Sequence, residues 1–104
     1  MVTRVVFEDS PRPTKKLVAI FFDDDGKRLK TVHFGGAGYM DYTTYHAKNP
    51  RIAKQKRLSY LRRHRVRESW RDPMTAGALS RWILWEKPTV PSAIRKYRVL
   101  FDLK

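Results

Sequence analysis

The sequence contains no cysteine, which at once excludes a disulfide framework, a thiolate metal site and a cysteine nucleophile. That composition fits a reducing compartment. It also lacks any apolar run near the roughly 20 residues that a membrane-crossing helix needs. The opening stretch Met1–Pro13 carries Glu8, Asp9 and two prolines where a secretion signal would need a long apolar segment. The expectation is a soluble, non-secreted, intracellular protein with no membrane partner. Acidic residues are the second scarcity. Only 10 Asp and Glu face 23 Lys and Arg, a net charge of +13.

That imbalance is not spread evenly. Residues 1–43 hold 7 basic and 6 acidic side chains, whereas residues 44–104 hold 16 basic and 4 acidic. Self-repulsion on that scale disfavours compaction, so a neutralising partner would stabilise the second part. Arg predominates in the densest stretch, and its planar fork suits phosphate or carboxylate better than simple hydration does. The charge therefore points to a polyanion, with nucleic acid ahead of an acidic protein surface.

What is present is enough to fold. With 41% hydrophobic residues, 3 Trp, 5 Tyr and 5 Phe in 104 residues, the chain has room for one domain with one core, spanning 1–104. Val2–Phe7 reads as a short strand, followed by the proline-broken connection Ser10–Thr14. Leu17–Phe22 is β-branched and aromatic, Asp23–Gly26 is turn chemistry, and Arg28–Phe34 alternates polar with apolar. Two such runs around Asp-Gly predict an antiparallel hairpin. In its second strand Leu29, Thr31 and His33 share one face, and Lys30, Val32 and Phe34 the other.

The glycine cluster Gly35, Gly36 and Gly38 then crosses to a helical half. Asn49-Pro50 predicts a helix over 50–65, with Asn as cap and Pro at the first position. Ala53, Leu58, Tyr60 and Leu61 fall on one broad side of it, and Arg51, Gln55, Lys56, Arg62 and Arg63 on the other. Asp72-Pro73 repeats the start signal before Met74–Trp85, a segment apolar almost all round and so central. A last helix begins at Thr89 or Val90, with Ile94, Tyr97 and Phe101 turned inward and Arg95, Lys96 and Arg98 left outside. The expected class is α+β: a small antiparallel sheet of two or three strands in the N-terminal half, packed on three helices in the C-terminal half.

Four constellations could carry chemistry. The basic run Arg51–Arg71 holds nine Lys and Arg opposed only by Glu68. A helix with cations on one face can follow phosphates while releasing counterions. The residues expected to contact nucleic acid are Arg51, Lys54, Lys56, Arg57, Arg62, Arg63, Arg65, Arg67, Arg71 and Arg81. Tyr60 and Trp70 are interleaved aromatics able to stack on bases, although core anchors are the commoner role for such residues. The glycine run lacks both the Walker ending and the dinucleotide pattern, so it reads as a connection.

His64 and Glu68 stand four apart and could pair as a general base or metal site, but no third ligand lies at recognisable spacing and a surface ion pair is the ordinary explanation. Asp23–Asp25 lacks the later Glu of a calcium loop. Arg81, inside an apolar segment, must reach a carboxylate, a carbonyl or a phosphate, and an internal structural pair is the favoured outcome. No catalytic residue, metal or cofactor is expected. The reading is a non-catalytic nucleic-acid-binding protein working mainly through phosphate contacts. A structural protein docking on acidic protein surfaces is the alternative, and a small nuclease using His64 and Glu68 comes third.

The pattern Tyr60, Arg63, His64, then Trp70, Pro73, Thr75, Ala76, Gly77, then Ser80, Arg81, Leu84, Trp85 resembles an uncharacterised group of small basic proteins encoded by giant nucleocytoplasmic DNA viruses and some algae. The likeness covers His33–Thr43 and Arg57–Ile94, about two thirds of the chain. It brings no catalytic residue. It implies a virus-related setting, with packaged DNA, a virion or the nucleus as the place of action.

Overall fold

The computed structural model describes residues 1–104. Strands β1 (Val2–Asp9), β2 (Lys15–Asp23) and β3 (Arg28–Gly36) form one antiparallel sheet in the order β1-β2-β3. The β2–β3 hairpin is the expected one, and its turn is built by Asp23. The Asp23 carboxylate accepts from the backbone N–H groups of Asp25 at 3.0 Å and Lys27 at 2.8 Å, while Gly26 takes the positive φ of +82° that the reversal needs. Pairs such as Leu17 with Phe34 and Phe21 with Lys30 fix the register. They turn Phe21, Ala19 and Phe34 to the core and leave Val6, Ile20 and Phe22 on the opposite face, where the Arg4 guanidinium lies 4.2 Å above the Phe22 ring.

The C-terminal half holds four helices where three were expected. The addition is α1 (Tyr42–Lys48), whose start is set by Asp41: its carboxylate accepts from Thr44 N–H, and Thr44 Oγ1 accepts from Asp41 N–H. Asn49 ends α1 and opens α2 (Pro50–His64). Its own N–H donates to Tyr45 O, while its side-chain oxygen accepts from Arg51 and Ile52 N–H. Helix α3 (Ala76–Leu79) begins three residues later than Asp72-Pro73 suggests, because Thr75 is the cap that accepts from Ala78 N–H at 3.1 Å. It widens directly into a π-helical turn, Ser80–Leu84. Helix α4 (Val90–Leu100) starts at Val90, the second of the two expected positions, with Thr89 as its cap.

Sheet and helices share one core. Val5, Phe21 and Phe34 from the strands meet Leu79, Ile83 and Trp85 from the α3 region, Tyr60 from α2 and Tyr97 from α4. Burying side chains of this size contributes about 1.5–3 kcal/mol each, which makes this contact the main source of cohesion between the two halves. Two expectations about faces need correction. Leu58 is 58% exposed, because the inward side of α2 is set by Ala53, Tyr60 and Arg57 and lies nearly opposite Leu58 on the wheel. Arg98 is not left outside: its guanidinium donates to Val5 O at 2.9 Å and pins α4 to β1. No helix is long and apolar enough to cross a membrane.

Candidate functional site

The basic residues of the second half divide into two classes by where their charge is satisfied. Glu86, just past the π-helical turn, collects three cations. Arg57 Nη2 donates to it at 2.6 Å, Arg81 Nη1 donates to the same oxygen at 2.8 Å, and Lys96 Nζ binds the other oxygen. Arg57 Nε also donates to Trp85 O at 2.7 Å. Burial pushes the Glu86 carboxyl up, but the hydrogen bonds from Lys96, Arg81 and Arg57 prevail and hold its pKa down at about 2. Arg81 is itself buried, with its guanidinium 4.2 Å from the Trp82 ring and 5.1 Å from that of Trp70. Of the ten cations expected to contact nucleic acid, Arg57 and Arg81 are thus occupied inside the protein, as the favoured reading of Arg81 required.

The other eight are exposed and make no ion pair: Arg51, Lys54, Lys56, Arg62, Arg63 and Arg65 on or capping α2, then Arg67 and Arg71 on the turn that follows. At 3.6 residues per turn they take two sides of the helix. Arg51, Arg62 and Arg65 point outward, and Lys56 and Arg63 sit two turns apart along one flank.

That flank borders a recess of about 640 Å³ between α2, the end of β3 and the start of α3. The glycine run forms part of its wall, so it is more than a connection. Gly35 holds φ +78° with Leu84 so close that a Cβ would lie 2.8 Å away, and a Cβ on Gly36 would lie 2.8 Å from the Tyr39 ring. Lys16, from the near-neutral half, also lines the recess, with its ammonium bound to Asp41 at 2.7 Å and to Tyr39 O. Sequence reasoning missed Lys15 and Lys16 because charge counting by halves left them in the near-neutral part, and Tyr39 because the glycine run around it reads as a connection.

One side of the recess is a stack of rings. Trp85 and Tyr60 lie parallel with centroids 4.3 Å apart, and His64 lies on Tyr60 at 4.2 Å. Tyr60 therefore has both faces covered and is a core anchor, and burial followed by the charge of Glu68 pushes its phenol pKa up. Trp70 is likewise committed, donating Nε1–H to Glu68 and accepting Trp82 Nε1–H on its carbonyl. Tyr60 thus offers no free face to a base, and Trp70 has Arg81 over one face of its ring.

His64 does form the expected pair, with Nδ1 2.9 Å from Glu68 Oε1. A carboxylate can only accept, so Nδ1 carries the proton and Nε2 is left without a partner in the protein. Glu68 is hydrogen-bonded by His64 and Trp70 and lies against Gly77, where a Cβ would be 3.0 Å from its carboxyl group. The three Asp23–Asp25 carboxylates are the one acidic or histidine cluster close enough to share a cation, and Asp23 is committed to its turn. Glu68 and His64 have no third ligand beside them.

Residues 5–64 match the model of a family described as a family of unknown function (DUF5754), and the chain belongs to that family. The match runs from β1 to the last residue of α2 and so takes in the sheet, the glycine wall and the basic helix. Of the residue pattern above, only Tyr60, Arg63 and His64 fall within it. No curated protein and no solved structure matches the chain.

Proposed function

We propose that this protein binds nucleic acid without turning it over, chiefly through phosphate contacts from α2 and the turn after it. The observation that carries the reading is the set of eight exposed, unpaired cations between Arg51 and Arg71, none of them consumed by the protein's own acids. A 15-residue helix is about 22 Å long, enough for its outward arginines to meet several phosphates. Exposed ammonium and guanidinium groups so close together repel one another, and phosphate relieves that repulsion while releasing condensed counterions. The likeness to small basic proteins of giant DNA viruses and algae adds a setting, packaged DNA in a virion or nucleus, in which such binding would be useful.

The test is a fluorescence-anisotropy titration of one labelled oligonucleotide at several salt concentrations. If about six phosphates are engaged, affinity falls ~10³-fold between 50 and 200 mM salt. A flat response rejects the reading. Polyglutamate as competitor tests the alternative partner, an acidic protein surface, because it displaces nucleic acid at matched charge only if the site recognises carboxylate as well as phosphate.

A second reading rests on the His64–Glu68 pair. An imidazole oriented by a fixed carboxylate, with Nε2 free beside Lys56 and Arg63, has the parts of a general base next to a phosphate site. Incubation of labelled DNA and RNA with Mg²⁺, with Mn²⁺ and with EDTA would expose cleavage, and His64→Ala should then abolish it.

A further inference from the structure

The recess beside α2 has three properties that the outward face of the helix lacks. It is concave and of a size that holds one nucleotide, since small-ligand sites run from about 300 to 1,000 Å³. It is edged by Lys56 and Arg63, two cations with no carboxylate partner. It is also bordered by two aromatic groups with accessible surface. His64 ends the Trp85–Tyr60–His64 stack with its side chain 39% exposed and no further ring upon it. Tyr39 is 77% exposed, lies against Gly36 and pairs with no other ring. Of the two acids in the wall, Asp41 is neutralised by Lys16, while Glu68 is hydrogen-bonded by His64 and Trp70 and keeps its charge, which Lys56 and Arg63 together outnumber.

From this we infer that the recess seats one nucleotide of a single strand: its base becomes the fourth ring of the stack, on the outer face of His64, and its phosphate lies between Lys56 and Arg63. The inference rests on the phosphate-binding reading above and adds to it a preference for unpaired strands. A base inside a duplex has both faces stacked and must be extruded before it can enter, at a cost of a few kcal/mol. In a single strand that cost is small. The Glu68 hydrogen bond serves the same end by fixing the plane of the imidazole, which keeps the stacking face turned to the recess. Tyr39 closes the seat from the rim.

The chain has only three histidines, which makes the test direct. His46 packs on Tyr42, and His33 pairs with Ser10 on the sheet, so both serve as internal controls for ring-proton NMR. Adenosine monophosphate, adenosine and inorganic phosphate are titrated separately, followed by a single-stranded decanucleotide and a blunt duplex of the same sequence. The monophosphate and the single strand should move the His64 ring protons upfield and leave His33 and His46 in place. The single strand should bind at least about tenfold more tightly than the duplex.

His64→Ala should lose about tenfold in single-strand affinity, and His64→Phe, which keeps a ring in the stack, should retain most of it. Equal effects of phosphate and monophosphate on His64, or duplex binding as tight as single-strand binding with His64 unmoved, would overturn the inference while the salt-dependent binding stands. If neither polymer binds in a salt-dependent way, the phosphate reading fails and this one with it.

Discussion

Arg62 and Arg81 are the same residue type in the same basic half of one small protein, yet they do opposite work. Arg81 is buried between two indole rings with its charge answered by Glu86, and with Arg57 and Lys96 it turns one carboxylate into the tie between α2, the π-helical turn and α4. Arg62 stands in water with nothing to answer it. Net charge therefore overstates the charge available to a partner, and the useful quantity is the charge the fold leaves unmet. The Glu86 corner ties the fold together, whereas the α2 face carries like charges that repel one another and that the proposed phosphate contacts would relieve.

Removing the anchor should separate the two roles most sharply. Glu86→Gln leaves three cations crowded without a counter-charge and should cost about 2 kcal/mol, less than for a fully buried pair because Lys96 and Arg57 remain partly in water, read as a lower urea midpoint at pH 7. The slope of nucleic-acid affinity against salt should not change. Substituting Lys54, Arg62 and Arg65 together by Gln should do the reverse. The salt slope should drop by about 3 and affinity at 0.15 M salt by on the order of 10²-fold, with the urea midpoint held or slightly raised. An equal loss from Arg57→Gln, whose guanidinium faces inward, would erase the distinction.

Acid titration probes the same corner more gently. Because the Glu86 pKa is held at about 2 in the folded chain, below its unfolded value of about 4.3, the unfolded chain takes up the proton first as pH falls. The stabilisation is complete above about pH 5 and disappears between there and about pH 2. Its size is about 1.5 kcal/mol, roughly half of what the full shift would give, since Lys96 and Arg57 remain partly in water. Urea midpoints at pH 7, 5, 4 and 3 should show this component in the wild type and not in Glu86→Gln. The smallest effect belongs to Leu58, exposed amid the cations: Leu58→Gln should change stability by less than about 0.5 kcal/mol, whereas a larger loss of nucleic-acid affinity than at Arg62 would show apolar contact outweighing phosphate charge on that face.

Features written in adjacent residues were legible from the sequence. The hairpin follows from Asp23 and Gly26, the start of α2 from Asn49-Pro50 and that of α4 from Thr89, each a local hydrogen-bonding signal. Helix α1 escaped because its capping box uses Thr44 where Glu or Gln would be the usual sign. The Glu86 corner joins residues 29, 5 and 10 positions away from it, and no spacing rule reports such a meeting. The recess escaped for the same reason, since Lys16 and Tyr39 reach it from the near-neutral half. The tilt of α2 was misjudged at Leu58 because leucine usually marks the inward side, while here the small Ala53 lets Trp85 and Tyr60 fill that space.

Asn49 serves two helices at once, closing one with its amide and opening the next with its side-chain oxygen. Asn49→Ala would remove only half of this arrangement: the backbone N–H would still close α1 on Tyr45 O, while the first N–H groups of α2 would lose their acceptor, at a cost of about 1 kcal/mol. One short side chain thus sets the corner from which the basic helix departs.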